Sequence, residues 1–282
     1  MGLNRECVGK TYEEKEYKVE KENMVAYAKA TNEDNPKLAG DNPEMASPMF
    51  GVVYLLPGLV DAFFDQELMQ DANLGMMLHG GQDMRFHKPV RDHDVLKTLT
   101  KVESIEDRGT GELLTISFQT KNQDGEQVMS GQGTFFFRGP PDPDKVKKKK
   151  GPTEIEKVLF EKTFHVDDDQ THRYAAASGD HNPIHVDDDM AKAMGFPSVI
   201  VHGLCVMALA QKGIIDGGLD GEPARLRRLS VQFSKPVFPG DDLRCIAWDK
   251  GVSDEGGRRV LGFIMKSQRD VEVMREGIAE LD

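Results

Sequence analysis

The chain has 282 residues, with 36 Lys and Arg against 48 Asp and Glu, a formal charge of −12. Binding nucleic acid by counterion release needs a basic face, so that class is excluded. No apolar run approaches the ~20 residues of a spanning helix, so no membrane partner is expected. At roughly 150 residues per domain the length points to two domains, together burying ~75% of the extended-chain surface.

The first ten residues hold no apolar leader, and Cys7, Cys205 and Cys245 fall in no metal-type spacing. A cytoplasmic protein with unpaired thiols is expected. An apolar segment follows at 50–64, interrupted by Pro57. Proline costs a helix interior ~3 kcal/mol or more, so a kinked or broken helix is predicted there. Alternating apolar positions then predict strands at 84–90, 95–104, 112–121 and 127–137.

From Arg138 to Pro152 prolines, glycines and lysines replace any apolar pattern, which reads as a linker. Its lysine run is read as solvated. Beyond it, residues 203–215 are apolar on most faces and predict a buried helix, followed by strands at 226–233, 243–248, 260–266 and 272–279.

The halves repeat each other. Asn35-Pro36 and Asn182-Pro183 are 147 positions apart, and so are Phe86-x-Lys88-Pro89-Val90 and Phe233-x-Lys235-Pro236-Val237. Two landmarks at one offset mark a duplicated unit, one helix wrapped by antiparallel strands, which is an α+β fold.

Titratable groups concentrate at residues 177–187. Pro183 pushes Asn182 into the extended region, so the chain reverses and Asp180 and His185 can converge. A carboxylate beside an imidazole suits acid–base chemistry, while an Asx-turn with a solvated histidine fits the same spacing. The sequence cluster of His165, Asp167, His172, Asp180, His181 and His185 matches no metal-binding spacing, and no metal is expected. Asp187, Asp188 and Asp189 suit an N-cap and first turn. Gly203 opens the apolar helix, where its N–H could stabilise a developing oxyanion or its small size could allow close packing. His202 is read as a buried, hydrogen-bonded histidine and as a candidate for substrate contact.

Ser178-Gly179-Asp180-His181-Asn182-Pro183-Ile184-His185, Val201-His202-Gly203-Leu204 and Phe233-x-Lys235-Pro236-Val237-Phe238-Pro239-Gly240 resemble the signature of the MaoC-like, R-specific (type 2) enoyl-CoA hydratases. The resemblance runs from Val158 to the C-terminus. Leu78-His79-Gly80-Gly81-Gln82 and Phe86-x-Lys88-Pro89-Val90 extend it to the N-terminal domain of two-domain members. It implies a double hot-dog fold, with a degenerate domain at 1–138, a linker at 139–157 and a catalytic domain at 158–282. It also implies an acyl-CoA substrate, no cofactor beyond the coenzyme A of the substrate, and a homodimer. By the same resemblance Asp180 and His185 are the catalytic pair, Gly203 the oxyanion donor and Asn182 a positioning residue that touches substrate. Glu33 and Leu38 occupy the corresponding places of the first half, so one active site is expected. Phe50, Val53 and their apolar neighbours through Met77 are then free to line an acyl pocket. Arg85, Lys88, Arg227, Arg228 and Lys235 are candidates for the coenzyme A phosphates. A non-catalytic acyl-CoA-binding module and a hot-dog thioesterase are the competing readings, because fold does not fix chemistry.

Overall fold

The computed structural model describes residues 2–139, 151–155, 157–254 and 256–282. The expected linker, lysine run included, lies largely outside them, as does the side chain of Met76.

Ten strands form one antiparallel sheet: β1 Lys15–Lys18, β2 Met77–Phe86, β3 Val95–Asp107, β4 Gly111–Lys121, β5 Gln127–Arg138, β6 Val158–His165, β7 Leu226–Phe233, β8 Asp242–Val252, β9 Arg259–Ser267 and β10 Glu272–Leu281. Their order is β1-β3-β4-β5-β2-β7-β10-β9-β8-β6. The second half is the first read backwards, which is a two-fold relation between β2 and β7. Those two strands pair from Gly81↔Gln232 to Arg85↔Arg228 and join the halves. Gly81 permits this approach, since a Cβ there would lie 2.8 Å from the Val231 carbonyl oxygen. Among the strands predicted from sequence, only the one at 84–90 is displaced. It lies earlier, at β2, because Gly80 and Gly81 hide its alternation and Pro89 cannot extend the ladder.

The described residues include seven α-helices: α1 Lys21–Ala30, α2 Pro36–Ala39, α3 Gly51–Phe63, α4 Gln66–Met69, α5 Gln170–Ser178, α6 Asp188–Ala193 and α7 Gly203–Gly218. The central α7 buries an unbroken run from Cys205 to Ile215. None is long and apolar enough to cross a membrane. All three cysteines are buried free thiols. Tyr27 of α1 and Tyr174 of α5, again 147 positions apart, meet with ring centroids 5.8 Å apart.

The helix around Pro57 departs from expectation. It is neither broken nor shortened there: α3 runs through Pro57 to Phe63. Pro57 sits on the exposed side, where the carbonyl it leaves unbonded can reach water. The opposite face, with Val52, Tyr54, Leu55, Gly58, Leu59 and Ala62 buried, holds the helix against the sheet. Packing of that face outweighs the local cost. The room that a broken helix would have left for an acyl chain is therefore absent.

The halves are also tied by charge. Lys212 of α7 is buried and reaches Glu33 at 3.6 Å, Asp216 at 3.3 Å and the carboxylate of Asp34.

Candidate active site

Helix α5 ends at Ser178, and Gly179 takes a left-handed φ of +82° that turns the chain out of the helix. The Asn182 N–H donates to Asp180 Oδ1 at 3.1 Å, and the Ile184 N–H to Asn182 Oδ1 at 3.3 Å. Pro183 then starts a single 3₁₀ turn, Pro183–His185. These short local bonds fold the loop back on itself. The Asp180 carboxylate and ring nitrogens of His185 and His202 fall within 4.8 Å of one another.

His185 is buried, and its Nδ1 lies 2.7 Å from the Ile200 carbonyl oxygen. A carbonyl only accepts, so Nδ1–H donates, and in the neutral ring Nε2 carries the lone pair. Burial pushes the imidazole below its ordinary value, against the opposing pull of Ile200 and of the Asp180 charge. The neutral ring, with a free lone pair, is therefore the form present at neutral pH.

His202 has a different place from the substrate contact considered above. It is almost wholly buried, and its Nε2–H donates to the Asp180 carbonyl oxygen at 2.9 Å. One side of the ring stacks on His185 at 3.8 Å and 27°, and Tyr174 lies 4.8 Å away. Burial and the neighbouring His185 push its pKa down to about 3, so it stays neutral. His202 holds the Asp180 turn and backs the His185 ring. Three such groups could attract a metal, but stacked rings direct their in-plane lone pairs side by side, whereas a shared ion needs them convergent.

Gly203 is the first residue of α7, with its N–H among the four that have no intrahelical acceptor. A Cβ built on it would lie 3.1 Å from the Phe233 ring. Both readings of this glycine thus have a physical basis. Gly203→Ala is expected to cost about 1–3 kcal/mol through crowding alone, seen as a melting temperature several degrees lower. An unchanged melting temperature would remove the packing role.

Two first-half residues reach this site, His79 from the Leu78–Gln82 motif and Leu56 from the expected acyl-pocket segment. His79 of β2 packs 4.7 Å from Phe135 and 4.8 Å from Phe233, and its Nε2–H donates to Gln82 Oε1 at 3.1 Å. Burial pushes its pKa down to about 4, opposed by Gln82, Gly81 and the charge of Asp180. Leu56 of α3 comes 3.6 Å from the position a Cβ on Gly179 would take. The β2–β7 pairing carries His79 to the second half. Phe50 and Val53, also expected in the acyl pocket, are placed otherwise. Phe50 is core, packed on Tyr17, Tyr27 and Tyr54. Tyr27 and Tyr174 separate its ring from His202. Val53 is half-buried against the same core. Asn182 is exposed, with its Oδ1 spent on the turn.

At the two-fold counterpart, Leu38 is wholly buried where the second half has His185. Glu33, opposite Asp180, is buried and faces Lys212.

Comparison with known proteins agrees with this geometry. A family model described as a MaoC like domain matches residues 149–266, and one described as a FAS1-like dehydratase domain region matches residues 6–131. The chain is 28% identical over 255 residues to a probable enoyl-CoA hydratase 2 of Dictyostelium discoideum, covering 86% of this chain and 83% of that one. Of several longer relatives it spans only 23% to 35%. Among solved structures, a MaoC-like dehydratase from Phytophthora capsici superposes with a TM-score of 0.85 at 24% identity, over 99% of this chain and 98% of that one. A Mycobacterium tuberculosis protein described as having a double hotdog fold superposes at 0.64 and 14% identity, over 97% and 96%. The second half of the chain is thus similar to MaoC-like dehydratase domains, and the first half to a FAS1-like dehydratase region.

Proposed function

We propose that the chain catalyses the reversible hydration of a 2-enoyl-CoA thioester to the (R)-3-hydroxyacyl-CoA. The observations that carry this reading are the fixed tautomer of His185, which leaves the lone pair on Nε2, and an Asp180 carboxylate within 4.8 Å of a His185 ring nitrogen. A water between them can donate one hydrogen to each. As its oxygen bonds C3 of the enoyl group, one of the pair takes a proton, and the alkene electrons move toward the thioester oxygen. The Gly203 N–H, at the positive end of α7, is the donor for that oxygen. A proton returned from the pair to C2 completes the addition. Atoms and electrons balance with no oxidant or reductant. A positioned acid or base is worth about 10²–10⁴ in rate, and one oxyanion donor about 2.7–4 kcal/mol.

The curated relative named as an enoyl-CoA hydratase 2 supports the acyl-CoA substrate. For the acyl chain we assign the first-half surface around Leu56, which comes 3.6 Å from the position a Cβ on Gly179 would take. The first half, through residue 138, then acts as a non-catalytic partner, and residues from 158 carry the chemistry. A homodimer and a cytoplasmic site remain our assignments. For the first, β6 is an edge strand with exposed Val158 and Leu159. For the second, the three thiols are free.

Incubation with crotonyl-CoA tests the reaction. Loss of the enoyl absorbance with no free thiol is expected. Release of free thiol would make the protein a thioesterase, and no change in either would leave a binding module.

A further inference from the structure

The two-fold that places His79 against Phe233 at the active site places Leu226 and Phe86 at the opposite end of the same strands. About seven residues of β2 separate the two ends, roughly 20 Å at ~3.3 Å per residue. Turnover there is closed off, because Leu38 replaces the imidazole and Lys212 covers Glu33. The cleft itself remains. A cavity of about 230 Å³ is lined by Arg85, Phe86, His87, Arg227 and Arg258. A second, more apolar hollow that includes Tyr54 and Leu226 shares Phe86 and Arg227 with it. Three guanidiniums and an imidazole thus converge on one hollow in a chain of net charge −12.

The carboxylates nearby do not saturate these cations. Among the described residues, Asp282 is the one carboxylate paired with both Arg227, at 2.5 Å, and Arg258, at 2.8 Å. Glu280 lies 3.9 Å from Arg85 while it accepts from Arg228 at 2.9 Å. Guanidinium forks match phosphate oxygens two at a time, and a ligand bearing two or more phosphate charges competes well with one shared carboxylate.

We propose that this second cleft binds the phosphate groups of a nucleotide-type ligand, coenzyme A or an adenine nucleotide, at a site separate from the Asp180 site. The three arginines hold the phosphates in the 230 Å³ cavity. The first half has thus lost its chemistry and kept an anion-binding cleft.

Equilibrium dialysis of the whole chain with coenzyme A, and separately with ADP, tests this. A bound equivalent that weakens at least about tenfold in Arg258→Gln is expected, with KM for crotonyl-CoA within about twofold of wild type. Asp282→Asn, which removes the competing carboxylate, is expected to tighten that same equivalent several-fold. Filling by ADP assigns the cleft to adenine nucleotides in general, and filling by coenzyme A alone adds the pantetheine arm to what it reads. Unchanged binding by an Arg258→Gln variant that melts normally overturns the proposal. So does a tenfold rise in KM, which would make the cleft the phosphate dock of the active site itself. If Arg258→Gln does not fold, unchanged binding by Asp282→Asn is the overturning result. Failure of the hydratase reading shows separately, as absence of crotonyl-CoA turnover by the wild-type protein.

Discussion

Asp180→Asn and His185→Gln are each expected to lower kcat for crotonyl-CoA hydration by at least about 10²-fold while leaving the melting temperature within a few degrees of wild type. The expectation follows from the position of the two groups. His185 Nδ1–H is committed to Ile200, so Nε2 is the only ring nitrogen that can meet a water, and Asp180 is the carboxylate within reach of it. The two changes act on one unit, so the double variant is expected to lose little more than either single one. The pH profile gives an independent reading. Burial lowers the His185 pKa, and the base form is the active one, so the rate rises as pH rises through that pKa. The acid limb is therefore expected to have its midpoint below 6.5, the ordinary histidine value. A midpoint above 6.5, or activity within a few-fold of wild type in either variant, would count against the dyad.

The second large effect concerns stability. Lys212→Met is expected to cost about 3 kcal/mol at pH 7, because it leaves Glu33 buried without its cation. Asp34 and Asp216 are more exposed and can rehydrate, which keeps the cost at the low end of the range for a broken buried pair. For a chain of this size that is roughly a 10 °C fall in melting temperature. Burial alone would depress the Lys212 ammonium. The Asp34 hydrogen bond and the charges of Glu33 and Asp216 outweigh it and hold the pKa above the usual lysine value. This stabilisation is present below pH 10.5 and is lost as pH rises through the raised value. Glu33 runs the other way. Burial raises its pKa, against the Asn35 N–H and the Lys212 charge. Without Lys212 the folded state binds a proton there more readily than the unfolded chain, so the variant is expected to regain stability as pH falls toward 4.5. Adding Glu33→Gln is expected to restore much of the loss at pH 7, since removal of both charges leaves none buried and unpaired. Equal melting curves for Lys212→Met and wild type would assign the bridge no structural weight.

The sequence alone determined the duplication, most strand positions, the central α7 and the turn that joins Asp180 to His185. Each of these is set within a few residues or by repetition at a single offset. Pro183 restricts Asn182, Asn182 caps its own turn, and alternation over eight residues fixes which face of a strand is buried. Local pattern failed where distant segments decide. Pro57 stays helical because a whole face of α3 packs on the sheet, a gain that a proline penalty read in isolation leaves out. Phe50 lies in the core, and His202 is spent on the Asp180 carbonyl. Lys212 against Glu33, and the three arginines around one hollow, join residues far apart in sequence. Side-chain hydrogen bonds and packing act over a few ångströms of space, whereas spacing in sequence reports only what the backbone brings near itself. Only the pairing of β2 with β7 turned two similar halves into one active site and one charged cleft.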